Sequence, residues 1–217
     1  MRELFQLAEA EILILWQQML ANGEDALQDL LPELIATFGL AAASVAADFY
    51  EEVREQEDVK KRFSPIIEEP KDFGARQLIS WALATSEDDE KAKTKIIGGT
   101  QRRVVNQARN VITLSSIADP SAKGWMRIGG GACGFCAMLI SRGAVYTEKS
   151  VEFASHDHCG CSAAPAFNSV QIKNVAEEFV PSARKRSEET LEADRKRVKE
   201  WIAANLPKEP PGPAPGS

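Results

Sequence analysis

Histidine and cysteine are scarce in this 217-residue chain, two and four respectively, and all six lie between Cys133 and Cys161. Metal ligation, thiol chemistry and imidazole general-base chemistry are therefore confined to one window. Long apolar runs are also missing. The run in the first helical stretch, Ile12 to Trp16, is five residues, far short of the roughly 20 needed to cross a bilayer, so no membrane partner is expected. The N-terminus has neither a basic n-region nor a small-residue cleavage site, so no signal peptide is expected and folding inside the cell is. There, reducing conditions make clustered cysteines thiolate ligands before they make disulfides. There is no internal repeat and no dense basic face. Residues 1–100 carry 10 basic and 20 acidic side chains and residues 101–217 carry 16 and 12, net −10 and +4. Sequence-specific DNA binding by a basic surface is not what such a chain is built for.

What is present is apolar periodicity. Hydrophobic residues make up 44%, enough for a core. Phe5, Ala8, Ile12, Leu15, Trp16 and Met19 recur at helical spacing through residues 2–20, and Asn22-Gly23 supplies a stop. A second helix is expected from Asp25 and a third from Pro32, carrying Leu34, Ile35, Phe38, Ala41, Ala42, Val45 and Phe49. The connector FSPIIEEPKD leads to a helix over about 73–84. A long stretch then starts at Ser86-Asp88-Asp89 and ends at Asp119-Pro120, with Gly98-Gly99 expected to break or kink it. In that stretch Val104, Ala108, either Val111 or Ile112, and Ser115 fall on one stripe, and Arg102, Arg103 and Arg109 are assigned to a solvated face, with contact to nucleic acid or an acidic partner as the alternative. Residues 124–170 turn Gly-rich and short-period, the pattern of turns and small strands. After Pro181 a charged helix is expected, anchored by Leu191, Val198 and Trp201; its basic run, 184–199, is interleaved with glutamates. The Pro/Gly end has the composition of a disordered tail.

The chemistry sits in Cys133-Gly-Phe-Cys136 and, across a loop of nineteen residues, His156-Asp-His158-Cys159-Gly-Cys161. A CxxC turn delivers two thiolates to one tetrahedral ion, and the second half offers four more donors where two suffice. The expected ligands of a structural zinc are Cys133, Cys136, His156 and either Cys161 or Cys159. Three other readings use the same residues. A redox CxxC wants a βαβ unit before it, and none precedes it. A thiol protease would take Cys133 or Cys136 as nucleophile and His156 or His158 as base, and Ser141 and Ser155 offer a serine alternative. Catalytic zinc wants a general base in an HExxH or HxE…CxxC arrangement, and Glu152 and Asp157 sit in neither.

GGTQRRVVNQARN, GWMRIGGGACGFCAMLISRGAVYT and HDHCGCSAAPAF occur in that order, with LLPELIATFGLAAASVAADFYEEVRE before them. Together, over about residues 1–167, they resemble the phage Mu protein F-like minor head proteins of tailed actinobacteriophages. Asp157 stands where that pattern usually has proline after the histidine. The resemblance implies a head-morphogenesis protein in the capsid interior of the virion. It would meet the portal or major capsid protein and, without sequence specificity, packaged DNA, acting in procapsid assembly, DNA packaging or DNA delivery. Related proteins are often labelled capsid maturation proteases, which is the alternative reading here. The expected fold is mostly α: a helical region over 1–118, a small zinc-stabilised α+β module over 119–170, a charged helical segment over 171–206 and a tail over 207–217.

Overall fold

The computed structural model describes residues 2–69, 74–129, 134–144, 146–147, 153 and 161–167, together with 196, 200 and 204. They are mostly helical. Four helices come first, α1 (Arg2–Asn22), α2 (Asp25–Gln56), α3 (Ala75–Thr85) and α4 (Asp89–Ala118). A small mixed unit follows: β1 (Gly124–Ile128), α5 (Gly134–Ser141) and β2 (Ser162–Ala166). Of the charged helical segment expected over 171–206, only Lys196, Glu200 and Ala204 are described; all three are helical, and Lys196 pairs with Glu200 one turn on. Leu191, Val198, Trp201 and the tail over 207–217 lie outside the described residues.

Local chemistry sets most helix ends. Gly23 closes α1 in the left-handed conformation at φ 94°, its N–H donating to Met19 O at 2.8 Å. Asp88 caps α4 by accepting from Lys91 N at 2.8 Å, and Asp89 and Glu90 place negative charge in its first turn.

Two expected interruptions do not occur. Pro32 lies inside α2 and does not start a new helix. Its missing N–H leaves the carbonyl of Gln28 without its intrahelical donor, and Arg76 Nε from α3 donates to that oxygen at 3.3 Å. Gly98-Gly99 likewise sits within an unbroken α4. The glycines are there for contact: a Cβ on Gly99 would stand 2.5 Å from Leu78 Cδ1, so α3 packs directly on the α4 backbone. Burial on both sides supplies what glycine's low helix propensity withholds.

The core has two lobes. The first joins Ile12, Trp16 and Met19 of α1 to Leu27, Leu31 and Ile35 of α2, Ile79 of α3 and Ile96 of α4. In the second, the small residues Ala42, Ala43 and Ala46 of α2 let Val104, Ala108 and Ile112 of α4 come close, and Trp125, Tyr146 and Ala163 complete it. The helices and the small strands thus share one interior. By length and composition α2 could also cross a membrane; a third of its most apolar window is buried inside the fold, where Leu27, Leu31, Ile35, Ala42, Ala43 and Ala46 join the two core lobes, while Leu30, Leu40 and Val45 are exposed. β1 pairs antiparallel with β2, Gly124 opposite Ala166 and Ile128 opposite Ser162, and Trp125 bridges to Tyr146 on the other side. A side chain at Gly124, φ 149°, would strike Tyr146 O.

One polar knot ties α2 to the end of α4. Asp119, whose side chain is fully buried, is ion-paired to Arg54 and accepts from Tyr50 Oη at 3.2 Å and from Ser121 N at 2.9 Å. Arg54 also donates to Lys61 O, and its guanidinium lies 5.6 Å from the ring centroids of both Phe63 and Phe167. Burial pushes the Tyr50 hydroxyl up from 10.0 to about 12. A raised native pKa stabilises below the unfolded value and is lost above it, so Tyr50 contributes fully below pH 10.0 and ceases to do so as the pH passes about 12. Urea unfolding at pH 8, 10 and 12 should show a steeper alkaline loss for the wild type than for Tyr50→Phe.

Candidate metal centre

Of the expected ligands, Cys161 is described in full. It immediately precedes β2, is buried, and packs against Ile140 of α5 and against Phe153. Cys136 lies on α5 four residues before Ile140, so the helix that carries it reaches Cys161. Cys133, His156, His158 and Cys159 lie outside the described residues, as do Glu152, Asp157 and the alternative nucleophile Ser155. Among the described residues no group of three or more His, Cys, Asp or Glu could hold a metal ion. Ser141, the other serine considered, donates its hydroxyl to Met138 O at 2.8 Å.

The residues that the sequence reading missed are the arginines around Cys161. Arg109 does not lie on a solvated face: it is fully buried beneath β2. Its Nε and Nη2 donate to the Cys161 carbonyl at 3.0 and 2.5 Å, and Nη1 donates to Asn106 Oδ1 at 2.8 Å. Arg127 of β1 is also buried, with Nη1 3.9 Å from Cys161 Sγ. Both guanidiniums lie against the Phe153 ring, at 4.6 Å for Arg109 and 3.8 Å for Arg127. A buried guanidinium demands hydrogen-bond acceptors and compensating negative charge. One of these grips the backbone of the cysteine and the other touches its sulfur, an arrangement that suits an anionic, ligating thiolate. Arg102 and Arg103 are half-buried too, Arg103 donating to Gly99 O at 3.0 Å and to Gly74 O at 3.2 Å, and no spacing rule sets Arg109 apart from them, because its cover comes from a segment more than fifty residues later.

A helical protein whose small strand pair closes over a buried cysteine and two arginines is the class that the fold and site define. The family model described as VG15 protein matches residues 1–189. The chain belongs to the VG15 protein family, and it is a phage protein of a virion-associated family. No curated protein and no solved structure matches it.

Proposed function

We propose that the chain is a minor head protein of the phage Mu protein F-like kind, held together after residue 118 by one structural zinc ion. In this reading it sits in the capsid interior near the portal, contacts the portal or major capsid protein, and acts in procapsid assembly or in the packaging or delivery of DNA. The observation that carries the metal assignment is Cys161: a buried sulfur beside the guanidinium of Arg127, its carbonyl held by Arg109. Cys133, Cys136 and His156 would complete the set, with Cys159 as the alternative to Cys161. A thiolate-rich zinc site carries net negative charge, and the two arginines supply its complement.

The ion would contribute folding free energy on the order of 10 kcal/mol to a segment with few large apolar residues. Arg109 fixes where Cys161 presents its sulfur, and Phe153 excludes water from the two guanidiniums. Membership of a virion-associated family supports the setting, and the ordered sequence resemblance over residues 1–167 supports the particular role.

Metal content of the purified chain, measured by mass spectrometry beside Cys133→Ser and Cys161→Ser, tests the reading. One zinc per chain, lost in both variants, with purified scaffold and capsid proteins left uncut, is the expected result. A zinc-free chain that cuts a head protein and stops on Cys133→Ser would instead make the cluster the active site of a maturation protease.

A further inference from the structure

We propose that α1 carries a homodimer interface, its outward face pairing with the same face of a second copy of this chain, the two helices antiparallel. The proposal stands apart from the zinc and head-protein reading. α1 is apolar on two opposite sides. Ala8, Ile12, Leu15, Trp16 and Met19 are buried in the first core lobe. On the other side Leu7, Leu13, Ile14 and Leu20 are 60, 40, 52 and 52% exposed, and with Ala10 and Gln17 they cover a face about 140° wide at 100° per residue. Scattered exposed leucines are ordinary, but four large apolar residues gathered on one exposed helix face, opposite a face already buried, mark a surface that a partner covers.

The flanks say what covers it. Glu9 and Glu11 border the face, and the N-terminal hundred residues are net −10. An anionic lipid surface or a nucleic acid would be repelled, since both are met with basic flanks. The remaining occupant is protein, and the order of residues selects a copy of the same helix. Leu13 and Ile14 straddle a midpoint, with Ala10 and Gln17 equidistant from it and Leu7 and Leu20 equidistant further out. A two-fold axis at that midpoint sets Leu7 of one copy on Leu20 of the other at both ends, which is what an isologous interface requires. The antiparallel direction also carries Glu9 and Glu11 to the partner's 16–22 stretch, WQQMLAN, which has no charge. A parallel pair would bring Glu9 of one helix beside Glu11 of the other, a like-charge contact that disfavours it.

Sedimentation equilibrium on the full chain tests this. The wild type should dimerise by about 100 μM, the range of a small interface, and Ile14→Glu should be monomeric there with unchanged circular dichroism and melting temperature. Leu7→Glu and Leu20→Lys should each weaken dimerisation by about tenfold or more. A chain carrying both should recover most of the loss, because only the antiparallel register sets the two new charges against each other. A monomeric wild type, a dimer indifferent to Ile14→Glu, or a double variant weaker than either single one would overturn the proposal.

Discussion

Asp119→Ala should lower the stability of the fold by about 3–5 kcal/mol, the effect of stranding one member of a buried ion pair. Its carboxylate is fully enclosed and meets Arg54, Tyr50 and the Ser121 amide. Removing it leaves the Arg54 guanidinium inside, between the rings of Phe63 and Phe167, with Lys61 O as its remaining described acceptor. The same substitution also takes the acceptor from the Ser121 N–H in the turn between α4 and β1. The control is the pair: Arg54→Met with Asp119→Leu removes both charges together and should be much milder than either charge deletion, since desolvation opposes the attraction of a buried pair. Urea unfolding followed by tryptophan fluorescence measures the wild type, Asp119→Ala, Arg54→Met and the double variant. An Asp119→Ala midpoint within error of the wild type would show that the ion pair contributes nothing to the fold.

Trp125→Ala should have an effect of similar size, about 3–5 kcal/mol for a large aromatic lost from a core, and it should reach the cysteine. The indole is fully buried, stacked at 4.3 Å on Tyr146 and 5.6 Å from Phe153. Phe153 is the ring on which both Arg109 and Arg127 rest, so an empty place behind it loosens the wall of Cys161. Faster alkylation of Cys161 than in the wild type, read by peptide mass spectrometry, is the accompanying expectation. Trp125→Phe should be far gentler. Among the described residues the indole N–H is buried without a hydrogen-bond partner, so phenylalanine forfeits volume but no polar contact. If Trp125→Phe proved as damaging as Trp125→Ala, an interaction of the N–H would have to account for it.

Helix positions were readable where the signal is local. The stop at Asn22-Gly23, the acidic start at Asp88-Asp89 and the end at Asp119 all depend on a residue and its near neighbours, and the structure bears them out. The stripe Val104, Ala108, Val111 or Ile112, and Ser115 was readable too, because helical spacing reports a buried face whatever buries it; the structure buries both Val111 and Ile112. Pro32 and Gly98-Gly99 misled for one reason. Both weaken an isolated helix, and both are rescued by α3, through Arg76 on the Gln28 carbonyl and Leu78 on the Gly99 backbone.

Asp119 and Arg109 mark where local information ended. Asp119-Pro120 reads as a helix terminus, which it is, and also holds the buried charge that α2 neutralises from 65 residues away. Arg109 reads as one more solvated cation, and the segment entering β2, 52 residues further on, buries it against the Cys161 carbonyl. Composition and spacing carry the propensities of a segment and the chemical kinds it collects, which is why the mostly helical class and the crowding of donors between Cys133 and Cys161 could be read from residues alone. Which charges lose their water, and against what, depends on contacts between distant segments, since desolvation is a property of the packed interior and no single segment contains it.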